Sequence, residues 1–113
     1  MHEAGLMQEM LNVAVRHLEA SEATRIVCLR LSVGPLSGVV PEALSFAFEA
    51  LAPQTPASGA RLEIATPPAR CFCATCDTTH DLEQLDYSCP ACGNDDVALT
   101  GGTEFELVSM EVA

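Results

Sequence analysis

Residues 71–93 read CFCATCDTTHDLEQLDYSCPACG, and their two C-x-x-C pairs, Cys73 with Cys76 and Cys89 with Cys92, decide how the chain is organised. Twelve residues separate the pairs. At that spacing two tight turns can each offer two sulfurs, at about 2.3 Å, to one tetrahedral zinc ion. Gly93 follows the second pair and can take the positive φ that turns backbone N–H groups toward thiolates. Asp77 holds the matching place after the first pair, so that turn is expected to be looser, although Asp tolerates left-handed backbone better than most residues. Cys71 and His80 are alternative donors. A two-residue spacer makes the better knuckle, so Cys73, Cys76, Cys89 and Cys92 are the expected ligands and Cys71 is a spare thiol. Four protein ligands leave no place for activated water, so such a site holds structure together and does not catalyse.

Outside this stretch the pattern is that of an ordinary small core. From Leu6 to Leu18 the apolar residues Met7, Met10, Leu11, Ala14 and Leu18 recur at helical spacing, with His17 at the edge of the stripe and expected to be half-buried. Residues 25–33 alternate as a strand, which sends Val27, Leu29, Leu31 and Val33 to one face and Ile26, Cys28, Arg30 and Ser32 to the other. Cys28 then reads as a small filler, since nothing local would activate its thiol. Gly34-Pro35 and Ser37-Gly38 break the strand. Pro41 and Glu42 suit the first turn of a second helix, with Leu44, Phe48 and Leu51 on its apolar face and Pro53 as its stop. Leu62 and Ile64 mark a second strand. In the last strand the apolar phase slips from Phe105 and Leu107 to Val108, Met110 and Val112, which predicts a bulge.

The predicted fold is therefore α+β. A three-stranded sheet carries two helices over residues 1–67 and 103–113, and a zinc-ribbon-like module with the two knuckles is inserted at residues 68–102. Apolar periodicity fades in that module, and a metal is the staple a segment of its size needs.

Composition narrows the function. In 113 residues there are 16 Asp plus Glu against five basic residues, all arginine, for a net charge of −11. Nucleic acid backbones are bound through Lys and Arg, so this chain is better suited to protein partners or cations. Without lysine it has neither a P-loop nor Schiff-base chemistry. No basic-then-apolar signal region opens the sequence and no apolar stretch is long enough to span a bilayer, which predicts a cytoplasmic protein. In a reducing compartment its six cysteines point to metal before disulfides.

The chain opens Met1-His2-Glu3. A free terminal amine, the His2 amide nitrogen and the imidazole Nδ1 close a five-membered and then a six-membered chelate ring, filling three of four places in a square plane. Planar nitrogen coordination favours Ni(II) or Cu(II). The fourth place is left to Glu3, a second backbone nitrogen, solvent or a partner's ligand. A large residue at position two is expected to leave Met1 in place, and a terminal segment is loosely enough tied to release its ion.

This order of motifs, from the Met-His-Glu opening through helix, strand, helix and strand to paired knuckles and a closing strand, resembles the hydrogenase nickel incorporation protein HypA family, with its HybF relatives, over essentially the whole chain. The resemblance implies a nickel metallochaperone, not an enzyme. It places nickel at Met1, His2 and Glu3, and structural zinc at Cys73, Cys76, Cys89 and Cys92. It implies work on [NiFe] hydrogenase with the GTPase HypB and the hydrogenase large-subunit precursor, and in some bacteria with urease maturation proteins. Asp77 departs from the glycine usual in the knuckle. Monomer and homodimer both stay open. Two rivals remain at this point: a zinc-ribbon protein adaptor with no metal-delivery role, and a small enzyme built on Cys71 and His80, for which no acid partner or glycine turn is evident.

Overall fold

Strand β1 (Ile26–Val33) is the element around which the main layer assembles. The computed structural model describes residues 2–82 and 88–113. Helix α1 (His2–Glu19) precedes β1, and α2 (Pro41–Leu51) follows it, running into a short 3-10 turn at Ala52–Gln54. Strand β2 (Arg61–Ala65) returns parallel to β1, and the final strand β6 (Phe105–Val112) lies antiparallel on the other side, giving the order β2-β1-β6. A parallel pair needs a long crossover, which α2 provides.

Both helices bury one stripe against this sheet. Met7, Met10, Leu11, Ala14 and Leu18 of α1 meet Leu44, Ala47 and Phe48 of α2 and Ile26, Leu29, Leu31 and Val33 of β1 in one cluster. Full burial of each large side chain here stabilises the fold by about 1.5–3 kcal/mol. On the opposite face of the sheet Arg30 pairs with Glu63 of β2 at 3.0 Å and with Glu111 of β6. These pairs are solvent-screened and fix cross-strand register more than they add stability.

The phase slip in the last strand is a bulge. Leu31 pairs with Leu107 but Arg30 pairs with Ser109, so Val108 is the extra residue and is 60% exposed. A second irregularity corrects the reading of β1. Ile26 pairs with Val112 and Cys28 with Glu111, which leaves Val27 as the extra residue there. Ile26 consequently faces the core, and Val27 does not join it. Cys28 is fully buried, as a filler residue should be. His17 is exposed, not half-buried, because the stripe of α1 is narrow enough to leave it on the solvent side.

The cysteine-bearing stretch is also more regular than its periodicity suggested. Strands β3 (Ala69–Cys73), β4 (Thr78–Leu82) and β5 (Val97–Gly101) form a second antiparallel sheet in the order β4-β3-β5. Among the described residues its own cluster is Ala69, Cys71 and Leu82, with Leu36 and Val97 against it. These strands are five residues long, and their apolar residues run together at Phe72-Cys73 and Val97-Ala98-Leu99 or reduce to Leu82 in β4, so no period-2 signal stands out.

The β1–α2 loop joins the two sheets. Gly34 N–H donates to Glu104 O at 2.7 Å and Leu36 N–H to Gly102 O at 2.6 Å, while the Leu36 side chain packs on the second cluster. A Cβ at Gly34 would collide with the carbonyl of Gly102, so only glycine permits this approach. Among the described residues, no helix is long and apolar enough to cross a membrane. Gly34→Ala is expected to lower stability by at least about 1–3 kcal/mol in denaturant titration. Gly5→Ala, in α1 with nothing within 4 Å of the added methyl, is expected to raise it by about 0.5–1 kcal/mol.

Candidate metal centres

Strand β3 ends at Cys73 and β4 begins at Thr78, so Cys76 sits in the connecting turn. Asp77 takes φ 54° there and Gly93 takes φ 77° after the second pair, so both knuckles use the left-handed backbone despite the aspartate. The second turn is closed by Gly93 N–H donating to Cys89 O at 2.9 Å and by Cys89 N–H donating to Asn94 O at 2.9 Å.

These turns bring the four expected sulfurs to within 4.8 Å of one another, the only such group of three or more metal-binding side chains among the described residues. The Cys73 and Cys92 sulfurs are 3.6 Å apart, and those of Cys76 and Cys89 are 3.9 Å apart. A tetrahedron with Zn–S of about 2.3 Å has an edge of about 3.8 Å, so these two pairs stand close to zinc spacing and the four-thiol donor set fits that ion. Cys71 lies outside the group, buried in the second cluster, and pairs across strands with His80. His80 Nε2 hydrogen-bonds to Thr78 Oγ1 at 2.9 Å.

The electrostatics of the cluster ask for a cation. Backbone N–H groups of Cys92 and then Ala91 lower the Cys89 thiol to about 6. Cys76 is pushed up to about 12, chiefly by its hydrogen bond with Cys92 and then by loss of solvent. Such a set holds a thiolate at Cys89 readily and resists one at Cys76, a resistance that a divalent ion would offset. Asn94 adds a part that sequence reasoning missed: its Nδ2 donates to Thr75 Oγ1 at 2.6 Å and ties one knuckle to the other. An Asn one residue after a knuckle glycine was the available signal.

At the other end of the molecule, α1 begins at His2, four residues earlier than the apolar stripe indicated. His2 is exposed. The first N–H groups of a helix have no partner within it, so the His2 amide sits where losing a proton breaks no helical bond. Glu3 is half-buried and accepts the Val40 N–H at 3.3 Å. Its carboxyl is held below the usual range by its own backbone N–H and then by that of Val40. Met1, the remaining residue expected at this centre, lies outside the described residues.

The model of a family described as hydrogenase/urease nickel incorporation, metallochaperone, hypA matches residues 1–112. The chain belongs to the HypA family. That family is one of metallochaperones and not of enzymes. Hydrogenase maturation factor HypA of Picosynechococcus sp. is 46% identical over 99% of both chains. The HypA of Polaromonas naphthalenivorans is 40% identical over 100% of this chain and 98% of its own. Two solution structures share the fold. One, described as the Ni metallochaperone HypA from Helicobacter pylori, has a TM-score of 0.68 at 23% identity over 97% of this chain and 96% of its own. Another HypA protein has a TM-score of 0.74 at 24% identity over 100% of this chain and 97% of its own.

The HypA fold thus sets a sulfur cluster and an exposed amino-terminal histidine in different sheets' neighbourhoods. Replacing any one of Cys73, Cys76, Cys89 or Cys92 by serine is expected to take bound divalent metal at this cluster from about one ion per chain to near zero, as counted by elemental analysis. Cys71→Ser is expected to leave that count unchanged.

Proposed function

We propose that this protein carries Ni(II) on its amino-terminal Met1-His2-Glu3 and delivers it during maturation of [NiFe] hydrogenase, with structural zinc at Cys73, Cys76, Cys89 and Cys92. In this reading residues 1–67 and 103–113 form the nickel-binding domain and residues 68–102 the zinc-binding domain. The acceptor is the hydrogenase large-subunit precursor, the GTPase HypB assists, and the cytoplasm is the place of action. The family description, which names urease beside hydrogenase, supports a urease partner on the same terms.

The observation that carries the nickel assignment is the exposure of His2 on the first turn of α1, where amide nitrogens lack helical partners. The Met1 amine, the His2 amide and the His2 imidazole make three adjacent donors in a plane, which suits Ni(II) and does not suit zinc. The positive end of the α1 dipole opposes a cation and so moderates the hold. Release is a requirement for a carrier. The net charge of −11 and the carboxylate of Glu3 act the other way and attract the ion. The sulfur site, with four protein donors, keeps its ion.

The test is nickel titration of untagged wild type, His2→Ala and an amino-terminally acetylated form, with zinc counted in each. Both altered forms are expected to lose nickel binding by at least about tenfold, the equivalent of about 1.4 kcal/mol, while zinc and fold are retained. Undiminished nickel binding in either form contradicts the assignment. Because amine, amide and imidazole nitrogens all compete with protons, nickel affinity is also expected to fall as the solution is acidified.

A further inference from the structure

Helix α2 has no cap of its own. Val40 occupies its N-cap position and makes no side-chain cap hydrogen bond, where Ser, Thr, Asp or Asn would be usual. In the capping box the third residue of a helix returns a carboxylate to the N-cap N–H, but the third residue of α2 is Ala43. The acceptor arrives from another helix instead, as Glu3 Oε2 of α1 takes the Val40 N–H.

Neighbouring residues of a helix point about 100° apart, and here His2 and Glu3 divide accordingly. His2 is exposed, whereas Glu3 is half-buried and lines, with Ala4, a groove against Ala43, Phe46 and Ala47 of α2. Ala4 packs on the main core and fixes this turn of α1 in place. With Oε2 taken by Val40 N–H and the side chain lying in the groove against α2, the Glu3 carboxylate is committed to α2 and not to the exposed face that presents His2.

We propose that Glu3 is a positioning residue and not a nickel donor: it caps α2 from α1 and stays there when the terminus is loaded. This rests on the nickel reading given above and narrows its donor set, taking the Glu3 carboxylate out of it. Its consequence is that the fourth in-plane place on nickel remains for solvent, a second backbone nitrogen or an incoming acceptor ligand, so that transfer can begin by substitution at that place without moving a side chain of the carrier. The carboxylate meanwhile fixes the loaded terminus against α2.

Untagged wild type, Glu3→Gln and Glu3→Ala are compared with and without Ni(II), by ligand-field absorption and by the chemical shift and hydrogen exchange of the Val40 amide. Gln keeps an acceptor oxygen and Ala does not. One ligand-field spectrum is expected for all three, with a Val40 amide in the wild type that does not move on loading. Exchange of that amide is expected to rise about 3- to 30-fold in Glu3→Ala and less in Glu3→Gln, the range of a lost cap. A spectrum displaced alike in Gln and Ala variants, or a Val40 amide released when the wild type is loaded, overturns the proposal. Nickel that persists in His2→Ala overturns the nickel reading alone, because the metal-free exchange rates still decide what Glu3 caps.

Discussion

Four sulfurs held within reach of one ion are the constraint on which the second half of the molecule depends. Among the described residues the sheet β4-β3-β5 encloses a cluster of three buried residues, one of them alanine, a small core to set against the conformational entropy of the segment. The Cys89 thiol is lowered by backbone N–H groups and the Cys76 thiol raised by its hydrogen bond with Cys92 and by loss of solvent. A divalent cation at this cluster would favour all four thiolates and crosslink the two knuckles. The left-handed turns at Asp77 and Gly93 and the Asn94 bridge to Thr75 hold the four sulfurs within 4.8 Å of one another, a spacing within reach of one ion.

The main layer obeys a different constraint, that of apolar burial, and so can leave His2 exposed. Helix α1 is anchored from Met7 onward, and its first turn is held by Ala4 and by the Glu3 contact to α2. The two proposed centres differ in chemistry as well as place. Thiolates in a closed tetrahedron would retain a zinc ion, whereas a planar set of nitrogens at a helix end would exchange its ion with an incoming ligand. The backbone contacts of the β1–α2 loop with Gly102 and Glu104 keep these two environments in a fixed relation.

Much of this was legible in the sequence where a periodic or spacing rule applied. The stripe from Met7 to Leu18, the β2 alternation at Leu62 and Ile64, and the bulge at Val108 follow from side-chain period alone. The C-x-x-C spacing singled out the four sulfurs that the fold gathers, and it left Cys71 aside. What escaped had no local signature. Val27 bulges because of how β1 meets the end of β6, a tertiary matter, and that inverted the facing of Ile26. Strands β3 to β5 are too short, and their apolar residues too poorly alternated, to announce themselves. The Glu3 to Val40 contact joins residues 37 positions apart, and the Asn94 bridge spans 19; neither leaves a mark on its own segment.

In the proposed function two metals are kept apart by donor chemistry. X-ray absorption on untagged protein loaded with both metals, read at the nickel and zinc edges separately, distinguishes the two shells. Four sulfurs at about 2.3 Å around zinc and a nickel shell of nitrogen and oxygen alone are expected. Sulfur in the nickel shell, or a zinc shell short of four sulfurs in that same sample, would contradict that function.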